Sequence, residues 1–365
     1  MGREKEKKLS LSGYGNYLKM DNGCFVLRDS KGNKTSYPAL EKTLGEITLE
    51  EGNVVTTGAL VYCGLWAIDV VVTTKFGEPI AMLKNFIDDS YVNTRISQYE
   101  SLKNGKGIEI AKRLLIGKLN GCNLILEKYG LEPPDFIPLV DKLGENNLSM
   151  LRNKLLSLEG RYAQHYFREI YKLFPQDIRP LSRVSYNAHV GLNNVFNLAY
   201  TFLKWKCYRA VVRAHLEPYL GYLHTYIMPI RQNLVCDFME LYRYLIDDFL
   251  ITNCRGLTRK DYYPKKVIIG DVKAKRMFLK DDIASELVNK LNKYFTKKVK
   301  IPRMKRGEVQ ELETLINEEA LLLAKYLRGE RESWSPRLAI PIDRRVCEYE
   351  KNSSQQNTPT VHSDI

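Results

Sequence analysis

Two carboxylates, Asp237 and Glu240, stand three residues apart in a mostly apolar segment typical of a helix packed on a core. At that spacing both side chains lie on one face of a helix. Neighbouring carboxylates repel each other unless they are solvated, paired with a cation or bridged by a metal ion. On these residues alone, a solvent-facing acidic stripe in which Arg243 pairs with Glu240 is the simpler interpretation.

Two further residues could complete a site with these carboxylates. His224 ends a mostly apolar stretch that follows Pro218, and Glu159 precedes Gly160 inside a segment with helical periodicity. A glycine inside a helix costs about 1 kcal/mol relative to alanine, so it often marks the close approach of another group. Taken singly, both candidates have ordinary explanations, a buried structural histidine and a surface glutamate.

Together these residues would form an oxygen-rich set with one imidazole, which suits Mg²⁺ or Mn²⁺ better than Zn²⁺. The 7 cysteines are scattered singly, so no thiolate cluster is predicted. An ion of this kind polarises a phosphodiester oxygen and stabilises the charge that develops in an in-line displacement. Residue types and spacing alone leave this metal site a weak hypothesis.

The secondary structure predicted for the segments that hold these residues changes from β-strands to helices along the chain. Residues up to about 90 are predicted to be β-rich, with a possible short buried helix at 58–66 and strands at 24–28, 35–37, 54–57, 68–74 and 80–83. From about Thr94 onward, helical periodicity dominates between prolines, in segments 107–121, 150–174, 187–218, 234–249, 283–295 and 308–328.

This order predicts an α+β protein with a small N-terminal β domain followed by a larger all-α C-terminal domain. The predicted divisions are a β domain at residues 1–92, a linker at 93–105, a helical domain at 106–335 and a flexible tail at 336–365.

Positive charge is concentrated in one part of the chain. The formal net charge is +13, and most of this excess comes from lysines and arginines between Arg255 and Arg306. Such a stretch suits a polyanionic partner, because each phosphate contact releases condensed counterions. A solvated helical face is an equally good explanation of the charge taken alone.

Single cysteines, a charged N-terminus and the absence of a long apolar segment favour a cytoplasmic protein without a membrane partner. The most apolar stretch, residues 58–72, is interrupted by Asp69 and is too short to span a bilayer.

The candidate residues stand in local contexts that resemble the CRISPR adaptation integrase family. The most specific matches are the Gly-Tyr-Leu-His ending of residues 216–224 and the Asp-x-x-Glu-x-x-Arg pattern of residues 237–243. The segment from Glu159 to Tyr166, the Asn-rich residues 193–200, and residues 56–83 and 98–119 also resemble that family. The resemblance covers roughly residues 20–330, nearly the whole part predicted to fold.

This resemblance implies a β domain that dimerises and a helical domain that holds a divalent metal ion. The family inserts short DNA fragments into CRISPR repeats, usually with a small ferredoxin-like partner protein. A 3′ hydroxyl of the incoming DNA attacks a phosphodiester at the repeat end in a transesterification. By position, Glu159 and His224 match two metal ligands of the family and Glu240 matches the third, with Asp237 as its neighbour or a further ligand. The resemblance thus implies a catalytic site that binds Mg²⁺ or Mn²⁺.

The basic stretch is then predicted to contact the DNA backbone. The candidate residues in this stretch are Lys265, Lys266, Lys273, Lys275 and Arg276, and Arg243, outside the stretch, is a further candidate. Arg243 could instead orient Glu240. The expected substrate is double-stranded DNA that is branched or carries 3′ overhangs.

Two rival functions remain open. A metal-dependent nuclease that resolves branched DNA without integrating it would use the same site. A non-catalytic, basic nucleic-acid-binding scaffold would instead be insensitive to the change Glu159→Ala.

Overall fold

The computed structural model describes residues 7–39, 44–75, 79–83, 92–185, 191–224, 231–269, 272–301 and 309–339. Within these ranges, β-strands come first and a mostly helical region follows, so the predicted α+β class is confirmed. No helix in these ranges is long and apolar enough to cross a membrane. The six cysteines they contain are free thiols.

Two four-stranded sheets form the N-terminal part. Its strands are β1 (Lys7–Leu11), β2 (Tyr17–Asp21), β3 (Cys24–Arg28), β4 (Lys34–Pro38), β5 (Leu44–Glu50), β6 (Val54–Val55), β7 (Asp69–Thr73) and β8 (Pro79–Leu83), with helix α1 (Thr57–Leu65) between β6 and β7. One sheet has the order β1-β5-β7-β8, in which only β8 pairs antiparallel, and the other has the order β4-β3-β2-β6. The predicted β3–β4 hairpin forms, because the Asp29 carboxylate accepts the backbone N–H groups of Lys31 and Asn33 and closes the turn.

Helix α1 forms where a buried helix was predicted, but most of it is not buried. Ala59 and Cys63 face the small core of the β part, whereas Val61 and Leu65 are 59% and 66% exposed. Trp66, which follows the helix, is also exposed. The apolar composition of this segment therefore reflects a surface face as well as a core face, and the prediction of burial was wrong.

The second part packs its helices around one large apolar core. Its helices are α2 (Val92–Ser101), α3 (Gly105–Lys128), α4 (Ile137–Asp141), α5 (Leu148–Tyr171), α6 (Gly191–Arg213), α7 (Asn233–Glu240), α8 (Arg243–Cys254), α9 (Asp281–Phe295) and α10 (Leu312–Leu327). The single helix predicted at 234–249 is divided into α7 and α8, which places Arg243 at the start of a new helix.

Two β-hairpins interrupt this helical part, which was predicted to be all-α. Strands β9 (Tyr262–Ile269) and β10 (Val272–Leu279) pair antiparallel, as do β11 (Lys298–Lys300) and β12 (Val309–Glu311). The β9–β10 hairpin contains five of the six predicted DNA contacts. The run Val267-Ile268-Ile269 favours a strand, because β-branched side chains pack well on a pleated surface.

The predicted linker at 93–105 contains helix α2, which is packed rather than free. Thr94, Gln98 and Ser101 are fully buried. The Gln98 side chain donates to the carbonyl oxygens of Glu217 and Leu220 and accepts the Glu217 N–H at 2.7 Å. This segment therefore anchors the loop that leads to His224, and the proposed division into domains remains a prediction.

Ion pairs connect the β part to the helical part. Arg213 of α6 binds Asp69 of β7 at 3.1 Å, and Lys8 of β1 binds Glu313 of α10 at 2.7 Å. The start of the predicted tail is also packed, because the Arg337 Nε donates to the buried Glu319 carboxylate at 2.8 Å. The remainder of that tail, residues 340–365, lies outside the described residues.

Candidate active site

Glu159 and Glu240 meet at the ammonium group of a lysine that the sequence patterns did not single out. Glu159 extends from the middle of α5 and Glu240 from the last turn of α7. Lys118 of α3 donates a hydrogen bond from Nζ to Glu159 Oε1, and the same nitrogen lies 2.7 Å from Glu240 Oε2. The Lys118 and Glu240 side chains are only 7% and 3% exposed. Two carboxylates from different helices therefore share one buried cation.

Helix α3 carries Lys118 on its buried face. Leu114 lies one turn before it and Cys122 one turn after it, and both are buried. Gly117 allows α3 to approach the end of α7, because a Cβ atom there would lie 2.6 Å from Leu241 Cδ2. Lysine is almost never fully buried without a partner. A lysine inside an apolar helical stripe was therefore the signal from which Lys118 could have been found.

His224 is held by Asp237. The His224 Nδ1 lies 2.6 Å from Asp237 Oδ1, which also accepts the His224 backbone N–H at 2.9 Å. The other oxygen, Oδ2, accepts the backbone N–H groups of Tyr222 and Leu223 at 2.5 and 2.9 Å. These four hydrogen bonds use both Asp237 oxygens, which can accept about four in total. Because Nδ1 donates to Asp237, Nε2 is the ring nitrogen left for another partner.

The loop that ends at His224 is held by α5 and α2 as well as by Asp237 of α7. Arg152 of α5 donates to the carbonyl oxygens of Tyr222 and Gly221 at 2.6 and 2.8 Å, and Ser101 of α2 shares a hydrogen bond with the Tyr222 hydroxyl. Gly221 is required by close packing, because a Cβ atom there would lie 2.5 Å from the His224 carbonyl oxygen. The glycine of the Gly-Tyr-Leu-His ending is thus needed because a side chain at that position would clash.

The buried charges stabilise one another. Burial alone lowers the pKa of Lys118, but the charges of Glu240 and Glu159 raise it above its ordinary value. Burial likewise raises the pKa of Glu240, but Arg243 and Lys118 outweigh it and hold that pKa below the usual range. For His224, the hydrogen bond and charge of Asp237 overcome burial and raise the pKa. The site is therefore an ionised cluster within a largely buried setting.

Arg243 contacts both Glu240 and an aromatic residue. Its Nη2 lies 3.0 Å from Glu240 Oε1, and its guanidinium lies 4.8 Å from the centre of the Tyr200 ring. The Tyr200 hydroxyl donates to the buried Asp247 carboxylate at 2.5 Å, and Tyr166 donates to the same carboxylate at 2.8 Å. Arg243 is thus positioned to orient Glu240, which was one of its two predicted roles.

A cleft of about 1040 Å³ opens beside this cluster. Lys118, Glu159 and Arg243 line it, together with four more cations: Arg161, Arg168, Arg183 and Lys204. Apart from Glu159, the described lining residues carry no carboxylate. Positive charge of this density attracts polyanions and raises their rate of association.

Gly160 lines the same cleft without a close neighbour. A Cβ atom at this position would have no atom within 4 Å. The close approach that the helical glycine predicted is therefore absent among the described residues, and the glycine widens the cleft instead.

The β9–β10 hairpin stands apart from the described lining of the cleft but packs against α6, which contributes to that lining. Gly191 at the start of α6 lies against the Tyr262 ring, and Asn194 Nδ2 donates to the Met277 carbonyl oxygen. Lys265 and Lys266 are exposed, and their cross-strand neighbours are Arg276 and Lys275. Lys273 lies opposite Ile268. Arg243 is a predicted DNA-contacting residue that lines the cleft.

The residues present suit a divalent ion, although no three acidic, histidine or cysteine side chains among the described residues are already arranged around one. The donor set of two carboxylates and one imidazole nitrogen is typical of Mg²⁺ or Mn²⁺. Glu240 Oε2 is buried and accepts no well-aligned hydrogen bond in this region, despite its short distance to Lys118. A buried carboxylate oxygen with spare capacity next to a second carboxylate fits a cation ligand.

A profile of the family described as CRISPR associated protein Cas1 matches residues 9–293 of this chain. The chain belongs to the Cas1 family. A CRISPR-associated endonuclease Cas1 of Korarchaeum cryptofilum is 23% identical over 349 residues, which cover 90% of this chain and 96% of the relative. The predicted family resemblance is therefore confirmed, and relatives in this family are named CRISPR-associated endonucleases.

Solved structures share the fold of this Cas1 family member. A casposase bound to an integration product has a TM-score of 0.71 and 18% identity, with 96% of this chain and 99% of the casposase covered. A chain of a Cas6-RT-Cas1–Cas2 complex has a TM-score of 0.65 and 17% identity, with 91% of this chain and 36% of that longer chain covered. At these identities the likeness shows the fold.

Proposed function

We propose that this protein is a metal-dependent enzyme that cuts DNA phosphodiesters and joins short DNA fragments to CRISPR repeats by transesterification. The observation that carries the proposal is the convergence of Glu159 and Glu240 on one buried cation, beside a histidine held by Asp237 and beneath a cationic cleft. Membership of the Cas1 family supports the DNA substrate.

In this proposal Glu159, His224 and Glu240 hold Mg²⁺ or Mn²⁺. When bound, the ion polarises the scissile phosphodiester and stabilises the charge that develops on its oxygens. Asp237 is a positioning residue rather than a ligand, because its four hydrogen bonds use both of its oxygens. It holds the His224 ring so that Nε2 is the nitrogen available to the ion.

The cleft residues would bind the DNA backbone. Arg161, Arg168 and Arg183 stand along the cleft that Glu159 faces, where they would contact phosphates on either side of the reacting one. The 3′ hydroxyl of the incoming fragment then attacks a repeat phosphodiester, which forms one P–O bond and releases the repeat's 3′ oxygen. The number of phosphodiester bonds is unchanged, so no external energy source is required.

The proposed partners are DNA with branches or 3′ overhangs, a second copy of this chain, and a small ferredoxin-like protein. A solved Cas1 relative is part of a complex with a Cas2 protein, which supports a partner of that kind. The exposed apolar face of α1 supports a homodimer, because monomeric proteins rarely leave several large apolar side chains together in water.

The catalytic assignment predicts that Glu159→Ala and His224→Ala each lower Mn²⁺-dependent cleavage and strand transfer by at least about a hundredfold, because a bound ion supplies several kcal/mol of transition-state stabilisation. Strand transfer is measured with a repeat-containing plasmid and an end-labelled fragment, with the ferredoxin-like partner supplied. Binding of the fragment, measured by fluorescence anisotropy, persists in both variants.

Glu286→Ala is the matched control, since Glu286 is an exposed glutamate on α9 that pairs with Lys290. This variant retains wild-type turnover. Wild-type turnover in Glu159→Ala would disprove the site and favour a non-catalytic scaffold. Cleavage by the wild-type protein without any joined product would favour a nuclease that does not integrate.

A further inference from the structure

Lys118 occupies a position for which simple packing gives no reason. Its ammonium lies in a largely buried setting where an isolated positive charge is strongly disfavoured. It is retained there by two carboxylates from different helices, Glu159 of α5 and Glu240 of α7. Neither carboxylate is reached by a second lysine in the described residues, and Arg243 pairs with the opposite oxygen of Glu240. Lys118 is thus the cation common to both.

A divalent ion held by Glu159 and Glu240 would compete for the two carboxylates that Lys118 contacts. Both cations carry positive charge, so they repel each other when they are a few ångströms apart in a region of low dielectric. The competition is therefore direct: strong pairing with one cation weakens pairing with the other. Lys118 also stabilises the apo fold, because without it the buried Glu240 and the partly buried Glu159 would lose the cation that they share.

We propose that Lys118 is a built-in counter-ion of the metal site, which keeps Glu159 and Glu240 together until a divalent ion displaces its ammonium from them. This inference rests on the proposed function, because it assigns these carboxylates to the ion. Lys118 acts through the two carboxylates and is a positioning residue. Lys118 lowers the affinity of the site for the ion, and it stabilises the fold when the ion is absent.

The displaced ammonium remains next to the cleft that Lys118 lines. A flexible four-carbon stem allows such a group to move without rearrangement of the helix backbone. Metal binding would then transfer one positive charge from the carboxylates toward the DNA-binding cleft. Ion binding and DNA binding are therefore expected to favour each other.

The test compares Mn²⁺ binding to chelator-treated wild-type protein and K118Q by titration calorimetry and by the electron paramagnetic resonance signal of free Mn²⁺. K118Q removes the competing charge while retaining a polar side chain. Its dissociation constant for Mn²⁺ falls on the order of tenfold. Without Mn²⁺ it melts below the wild type, and saturating Mn²⁺ raises its melting temperature by more than it raises that of the wild type.

K206Q is the matched control. Lys206 of α6 is also largely buried and pairs at 3.0 Å with Glu313, which is itself largely buried, but no ion pair joins it to Glu159 or Glu240. K206Q melts below the wild type as well, yet its Mn²⁺ affinity and its Mn²⁺-induced stabilisation match those of the wild type. This separates a specific effect on the ion from a general loss of a buried ion pair.

The outcomes distinguish the inference from the proposed function. If wild-type protein binds Mn²⁺ but K118Q binds it with equal or lower affinity, Lys118 is not a competing counter-ion and the inference is overturned. If wild-type protein and the double variant E159A/E240A give the same Mn²⁺ titration, the proposed metal site itself is wrong. If K118Q folds only with Mn²⁺ present, its melting temperature as a function of Mn²⁺ concentration provides the same comparison of affinities.

Discussion

Three buried acidic residues near the site, Asp237, Glu240 and Asp247, have different hydrogen-bond and ion-pair partners. These partners determine what each carboxylate can do. Asp237 accepts backbone N–H groups and the His224 ring, whereas Glu240 is surrounded by Lys118 and Arg243. Asp247 instead accepts two tyrosine hydroxyls, and burial raises its pKa to about 6 despite those hydrogen bonds and the nearby arginines. Asp247 is therefore more easily protonated near neutral pH than Glu240, whose pKa lies below its usual range.

This raised pKa predicts a pH dependence of stability. The folded state keeps the Asp247 proton up to about pH 6, whereas the unfolded chain loses it near the ordinary value of 3.8. The contribution of Asp247 to the free energy of unfolding thus declines as pH rises from about 4 to 6, by about 3 kcal/mol in total. Asp247→Asn removes this decline, so its unfolding free energy relative to wild type increases by that amount between pH 4 and pH 7, as measured by urea denaturation.

Tyr166→Phe provides the control, since it removes one hydrogen bond that favours the Asp247 carboxylate. Without that hydrogen bond the pKa of Asp247 rises further, so the decline in unfolding free energy of Tyr166→Phe extends to higher pH than in the wild type. A difference between Asp247→Asn and wild type that does not change with pH would contradict the assignment.

At the scale of elements, positive charge is divided between the cleft and the β9–β10 hairpin. Register places Lys265 opposite Arg276, and like charges directly across a pair of strands destabilise a sheet. An anionic ligand bound to this hairpin would relieve the repulsion between the two cations, which favours a role of the hairpin in binding. The hairpin packs on α6, which also lines the cleft, so we expect the hairpin and the cleft to bind one continuous stretch of DNA.

The double variant Lys265→Ala/Lys266→Ala tests this path. Each lost phosphate contact reduces the slope of log affinity against log salt by about 0.9, so the double variant reduces it by nearly 2. The slope is measured by fluorescence anisotropy over a series of salt concentrations. Lys31→Ala/Lys34→Ala, on the β3–β4 hairpin of the N-terminal part, leaves the slope unchanged. An unchanged slope in the first variant would mean that β9 faces solvent in the complex.

For the whole molecule, the exposed apolar face of α1 is the feature that predicts association between two copies of the chain. Val61, Leu65 and Trp66 are exposed there, and Ile80 and Leu83 of the edge strand β8 are exposed as well. A two-fold interface uses the same patch on both copies, so an apolar face on one helix is sufficient to form it.

Val61→Glu/Leu65→Glu is therefore expected to convert a dimer to a monomer, as measured by size-exclusion chromatography with light scattering. The fold of each copy is retained, because both side chains are already mostly in water. Met150→Glu, at an exposed apolar position on α5, leaves the dimer intact. If the wild type is monomeric at micromolar concentration, α1 is not a dimer interface.

Local sequence patterns determined much of the secondary structure. Short apolar runs bounded by turn residues located β3, β7 and β8. Helical periodicity located α3, α5, α6, α9 and α10, because the pattern arises from which side chains of one segment face the core. Helix α2 and the β9–β10 hairpin were missed: the first is polar and is fixed by contacts with residues 217–222, and the second lies inside a basic stretch that was assigned to a helical domain.

The candidate site could be named from sequence but not assembled from it. The family resemblance of their local contexts was what allowed Glu159, His224 and Glu240 to be proposed together. Only the tertiary structure brought Lys118 between the two glutamates and gave Asp237 a full set of hydrogen bonds. These contacts join positions far apart in the chain, and their distances depend on how α3, α5 and α7 pack, which no local pattern encodes.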